Sequence, residues 1–406
     1  MTGARPVAFS LFEGDWLHRA YDAAGLGDGS RFALARRCVL SVLVTWVPIA
    51  LLAWWGGLYG GGLSPTNFFA DFAAYAQLVM AMPLFIASER VIDASTREVA
   101  EQLVSCGIVR PQDRGRLDQA HAMVARARRS FWPDIGCIVL AFTLSLVILV
   151  PEFGPDPLPT WHVKDYDHWR TLTPAGAWAF LVALPILNYT WLRFAWKIWL
   201  WIFYLYKVSR LRLELHPTHP DLTGGIGFLS EAQGRFALFI LAYGVSNVAA
   251  TVGYEVVILD YSLDTMTVWG PLLGFAIGAP LLFTLPLLMF TRQLHRSKRQ
   301  ALATYRQRVT ERSRHVESRW LEDGRTEQPA SEEIRELAEL ATLHTMFNHI
   351  DRMRVVPFDL RSFGQLAGSS FGSIATLLPL LQYDGKVTGI FELIAKLLGG
   401  LVGVGR

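Results

Sequence analysis

Six stretches of about twenty or more residues, nearly free of charge at their centres, dominate the chain; they lie at roughly 38–58, 68–88, 131–151, 176–206, 236–259 and 268–290. About 20 apolar residues is what an α-helix needs to cross a bilayer's hydrocarbon core. Hydrocarbon offers no hydrogen-bond partner, so such a run must satisfy its backbone within the helix. The prediction is an all-α polytopic membrane protein with a bundle of six transmembrane helices. Composition agrees. Charged residues are 18% of the chain, hydrophobic residues 52%, and the mean hydropathy is +0.29, whereas a soluble domain carries about 25% charged residues. Many of the fourteen Trp stand at the ends of apolar runs, where amphipathic rings favour the membrane–water boundary.

Lys and Arg orient the bundle. They number five before the first span, none in 59–67, eight in 89–130, two in 152–175, four in 207–235, none in 260–267 and fourteen in 291–369. Positive loops are retained on the cytoplasmic side. The alternation therefore predicts both termini in the cytoplasm, and the localisation expected is a bacterial inner membrane. The chain divides accordingly into a cytoplasmic N-terminal segment (1–37), spans one and two (38–88), a cytoplasmic helical segment (89–130), spans three and four (131–206), a His/Pro/Gly loop (207–235), spans five and six (236–290), and a cytoplasmic basic helix followed by a second helix (291–356). Acidic residues precede the first apolar run, so that span reads as an uncleaved insertion signal. Cys38, Cys106 and Cys137 show no paired spacing and fall near the reducing side, as free thiols would.

Residues 357–406 read as a membrane-associated helical hairpin. One stripe carries Leu366, Phe371, Ile374, Leu378 and Leu381, another Gly368, Gly372 and Thr376, and Asp384-Gly385-Lys386 forms a turn. Each half is short for a span; if both crossed, the count would be eight.

Four groups of residues carry chemical potential. Asn188 and Asn247 lie near the middles of the fourth and fifth spans, with Asp71 and Glu255 toward the outer ends of the second and fifth. As pore or solute-binding residues they would line a polar path; as structural residues the amides would hydrogen-bond between helices. Arg193 and Lys197, one turn apart among Trp and Tyr, and Arg210 and Arg212 beyond them, are anion or lipid-binding candidates; snorkelling to phosphate headgroups accounts for the first two without a special function. His216, His219 and Asp221 offer imidazole and carboxylate to a divalent metal in the cytoplasmic loop, while Pro217, Pro220 and the glycines after Asp221 suit a rigid turn. Gly270, Gly274 and Gly278, like Gly368 and Gly372, form small-residue faces that let helices approach closely, within one chain or in a homo-oligomer.

Net charge is only +3 and no nucleic-acid motif is present, so membrane lipid and a cytoplasmic protein are the partners expected of the basic helix at 291–319. Phosphate-binding, zinc-protease and serine-hydrolase motifs are absent. Three functions remain open: a channel or transporter for a small ion or solute, which leads; a non-catalytic signalling or assembly protein working through its cytoplasmic face; and an enzyme acting on lipid or a phosphorylated carrier.

Overall fold

The computed structural model describes residues 9–27, 32–60, 66–153, 160–166, 169–249, 266–322 and 331–376. Within them the chain is helical almost throughout, as expected. The helices are α1 (Trp16–Ala23), α2 (Ala33–Trp55), α3 (Phe72–Ser105), α4 (Arg114–Arg129), α5 (Trp132–Leu149), α6 (Pro174–Ser209), α7 (Phe228–Gly234), α8 (Ala237–Tyr243), α9 (Met266–Thr284), α10 (Thr291–Glu322), α11 (Ser331–Asp351) and α12 (Leu360–Ala375). A small antiparallel hairpin interrupts the pattern. Its strands β1 (Val163–Tyr166) and β2 (Trp169–Leu172) pair with Val163 opposite Leu172 and Tyr166 opposite Trp169.

Five helices among the described residues are long and apolar enough to cross a membrane: α2, α3, α5, α6 and the rod made by α9 and α10. The predicted fifth span is described only to residue 249, and the second half of the C-terminal hairpin lies outside the described residues.

The packing is inverted relative to a water-soluble bundle. Only 17% of the apolar stretch of α2, and likewise of α5, is buried in the protein. Leu43, Leu51, Trp54 and Trp55 on α2 and Val139, Leu146, Val147 and Ile148 on α5 face outward, while Thr45 and Ser145 are fully buried. Apolar faces of this extent are unfavourable in water and need a lipid covering. α12 follows the same rule. Its buried seam is Ser362, Leu366, Ser370 and Ser373, and Phe371 points out. Leu366 of the apolar stripe thus faces the bundle and Phe371 does not, and small hydroxyl side chains let α12 close on Gly234 and Gly244 of the neighbouring segments.

Two spans reach well beyond the apolar layer. With 34 residues in α3 and 36 in α6, each helix is about 50 Å long against a hydrocarbon thickness of about 30 Å. α3 does not stop near residue 88 but continues to Ser105, where Cys106 caps it and Gly107 turns the chain at φ +70°. The π-like turns Tyr75–Ala81 and Ala179–Ala183 each precede a proline, Pro83 and Pro185. A proline removes one helical N–H and its ring crowds the carbonyl four residues back, so the preceding turn widens. A third widened turn, Gly244–Ala249 after α8, packs on the first, and Gln77 Nε2 donates to the Ser246 carbonyl at 3.1 Å.

Candidate functional site

The N-terminal segment does not hang free in front of the first span. Phe9, Leu11 and Phe12 are buried in the main core with residues of α3, α4 and α6. Phe9 lies 4.5 Å, ring centre to ring centre, from Tyr204 on α6. The backbone here is held by charge. Asp93 of α3 accepts from Ser10 Oγ at 2.7 Å, Leu11 N at 2.7 Å and Phe12 N at 3.1 Å. Arg128 of α4 donates to the Ser10 carbonyl at 2.6 Å, and Arg97 pairs with Glu13 at 2.6 Å.

This anchoring carries Asp15 into the bundle. Its Oδ1 caps α1 by accepting from His18 N at 2.9 Å, the ordinary role of an Asp before a helix. Its Oδ2 does something else. It accepts from Arg193 Nε at 3.1 Å and Nη2 at 2.7 Å, and lies 3.2 Å from Lys197 Nζ. The other edge of the Arg193 guanidinium donates to Glu89 of α3, at 2.9 Å to Oε2 and 3.2 Å to Oε1. Arg193 and Lys197 are therefore not displayed toward headgroups: their side chains are 1% and 2% exposed, with Asp15 at 0% and Glu89 at 14%. Burial alone would raise the Asp15 carboxyl, but Arg193 and Lys197 outweigh it and hold the pKa down to about 2. Beside them, Tyr189 donates to Asp134 of α5 at 3.4 Å and accepts from Trp16 Nε1 at 2.9 Å.

A cleft of about 360 Å³ opens between the N-terminal segment, α2 and α3, with Phe12, Arg37, Glu89 and Asp93 in its wall. Glu89 is thus reached from the cleft on one side and grips the buried Arg193 on the other. A second cavity, about 590 Å³, lies beyond the far end of α5 around Glu152, Thr160 and Arg170. Burial there opposes charge on Glu152, yet bonds from His162 and Thr160 hold its carboxyl below the usual range.

The other residues singled out in the sequence sit apart from this cluster. Asn188 joins α6 to α5, donating to Ser145 Oγ at 3.0 Å, and accepts from Trp191 Nε1 at 3.2 Å. Asn247 donates to the Tyr243 carbonyl of its own helix at 3.4 Å. Asp71 caps the start of α3, accepting from Ala73 N at 2.9 Å, and takes a bond from Trp161 Nε1 at 2.8 Å; Glu255 lies outside the described residues. Arg210 stacks 5.0 Å over the Tyr206 ring, and Arg212 is exposed. Gly270, Gly274, Gly278 and Gly368 face open space, whereas Gly372 touches Leu241.

In the His/Pro/Gly loop Asp221 is spent on the backbone. It accepts from Thr223 N at 2.9 Å, Thr223 Oγ1 at 2.7 Å, Gly225 N at 3.0 Å and Gly227 N at 2.9 Å, and His219 Nδ1 is 2.9 Å from its Oδ1. Burial raises its carboxyl, but the Thr223 and glycine bonds more than offset that and leave it lowered. They hold Leu222 at φ +57°, Gly224 at +69° and Gly225 at +93°, so the His/Pro/Gly motif is organised as a turn. Among the described residues no group of three His, Cys, Asp or Glu side chains is arranged to hold a metal ion.

Sequence reasoning missed Asp15, Glu89 and Asp134. The available signal was charge balance, since two cations inside an apolar stretch require anions nearby. No protein-family model, curated protein or solved structure matches the chain, so its function is read from this geometry.

Proposed function

We propose that the protein is a membrane conduit, a channel or transporter for a small ion or solute, closed at its inner end by the N-terminal segment. The observation that carries this reading is the buried cluster of Asp15, Glu89, Arg193 and Lys197. Ionisable groups within a membrane bundle are costly and mark solute or ion paths by default. Here one of them, Glu89, lines an open cleft, and the helices that carry Glu89 and Arg193 are widened ahead of a proline. The Lys/Arg alternation of the loops supports six spans with both termini in the cytoplasm, which puts cleft and cluster on the inner side. Widened turns at Tyr75–Ala81 and Ala179–Ala183 give the two helices that carry Glu89 and Arg193 places to bend. The test is flux in proteoliposomes made with purified protein. Solute or ion uptake that Arg193→Leu abolishes supports the reading; an absence of flux across inorganic ions and small organic anions, cations and neutral solutes sinks it.

One observation favours a second reading, signalling or assembly through the cytoplasmic face. α10 and α11 pack as an antiparallel pair joined by the Arg312–Glu339 ion pair at 2.8 Å, and α11 leaves Ile334, Leu337 and Met346 exposed. A pulldown that needs α11 and ignores substitutions at Arg193 would favour it over the conduit.

A further inference from the structure

A helix cap needs one carboxylate oxygen, and Asp15 uses Oδ1 for that purpose. The other oxygen receives three donors, from the Arg193 Nε and Nη2 and the Lys197 Nζ. Three N–H groups of two buried cations converging on one oxygen is the geometry of an anion site. The oxygen that fills it comes from a separate segment, 178 residues away in the chain. We propose that Arg193 and Lys197 form the binding site for the carboxylate of a small anionic solute, and that Asp15 occupies it as a built-in surrogate until such a solute takes its place. That the solute is then transported rests on the conduit reading; the binding site does not.

Charge pairing favours an exchange. With Glu89 fixed on one edge of Arg193, Asp15 is the carboxylate in contact with Lys197, and Asp134 acts on both cations from farther away. Withdrawal of Asp15 with nothing in its place leaves Lys197 without a carboxylate in contact in a site 1–2% exposed, which is unfavourable. An entering carboxylate restores that contact and the hydrogen bonds, so solute entry and release of the N-terminal segment are one equilibrium. The cleft beside α2 reaches Glu89, whose carboxylate grips Arg193, while Asp15, Arg193 and Lys197 lie behind that wall. Elsewhere the segment is held by Asp93, Arg128 and Arg97 and by the burial of Phe9, Leu11 and Phe12, contacts that its release must also give up.

The experiment is calorimetric titration of the purified full-length protein with sodium succinate and, separately, sodium phosphate. The variants are Asp15→Ala and Asp15→Ala with Lys197→Met, and Asp15→Asn stands in if the alanine variant fails to fold. Removing the competing carboxylate should tighten succinate binding by about tenfold or more, because the competent state no longer has to displace it; adding Lys197→Met should abolish the gain. In a protein whose three cysteines are replaced by serine, Ser10→Cys reports withdrawal of the segment, and its maleimide labelling should accelerate with succinate. Unchanged affinity in a folded Asp15 variant, binding that survives loss of Lys197, or labelling indifferent to bound succinate each overturns the proposal. Binding of phosphate in preference to succinate overturns the carboxylate assignment. Succinate binding as expected without flux sinks the conduit reading and leaves this site standing; flux without binding does the reverse.

Discussion

The charge count around Arg193 makes a quantitative prediction about Asp15→Asn. Asparagine keeps the shape and the cap, since its Oδ1 still accepts from His18 N, as Asp15 does now at 2.9 Å. It removes only the negative charge between Arg193 and Lys197. Glu89 is then the one carboxylate left in direct contact with Arg193, and Lys197 has none. Breaking one side of a buried ion pair costs about 3–5 kcal/mol. At the lower figure, opening of the N-terminal segment becomes more frequent by about 150-fold, from the rule that 1.4 kcal/mol is a factor of ten. Hydrogen exchange read by mass spectrometry over residues 9–23 is the assay. The Leu11 and Phe12 amides, bonded to Asp93 at 2.7 and 3.1 Å, should lose about two orders of magnitude of protection, or reach the unprotected rate if the segment opens more readily than that. Lys197→Met alone leaves Arg193 with two carboxylates and should destabilise the segment far less. Combining it with Asp15→Asn leaves Arg193 paired with Glu89 and no unpaired Lys197, and should recover most of the protection. Wild-type protection in Asp15→Asn, or a double variant no better than the single, would refute the reasoning.

Acid should open the same latch. Asp15 binds its proton less tightly folded than unfolded, at about 2 against 3.8, so its contribution of about 2 kcal/mol is present above about pH 4 and is lost as pH falls toward 2. Pepsin cleavage within residues 9–23 should rise across that window relative to Asp15→Asn, which lacks the titrating group; parallel profiles would count against it. Gly244 and Gly274 should respond oppositely to alanine. A Cβ at Gly244 meets Ser373 and, at 2.7 Å, Phe275, while at Gly274 it meets nothing within 4 Å. Gly244→Ala should cost about 1–3 kcal/mol by overpacking and Gly274→Ala should gain up to about 1 kcal/mol of helix propensity, measured as thermal midpoints in detergent. Asp221→Ala strands the Thr223, Gly225 and Gly227 amides it now serves and should cost about 2 kcal/mol. Bound metal measured by elemental analysis distinguishes the turn from a ligand site, since only the latter loses metal with Asp221.

The spans were legible in the sequence because a bilayer imposes a length and an apolar composition that no other environment demands together. Pro83 and Pro185 lie within spans that composition alone treats as uniform, and the structure shows a widened turn just before each. In α12 the apolar stripe does not by itself decide the facing. Leu366 is buried and Phe371 exposed, because the helix packs through Leu366, Ser370 and Ser373, where small hydroxyl side chains allow close approach.

The candidate site was half legible for a different reason. Arg193 and Lys197 were conspicuous, yet their Trp and Tyr neighbours made an interfacial position the natural reading. What decided their environment was Asp15, and no local pattern ties a residue in a short N-terminal segment to a helix 178 positions later. The constraint is electrostatic and global: a bundle that buries two cations must bring anions to them. Glu89 supplies one from a neighbouring span, and that pairing, once made, is fixed by helix packing. Asp15 supplies the other from a segment held by hydrogen bonds to Asp93 and by Arg128. Of the two anions, only Asp15 can leave without dismantling a span. The asymmetry makes the N-terminal segment, rather than any kink within the helices, the part of this molecule to follow when the buried site is opened.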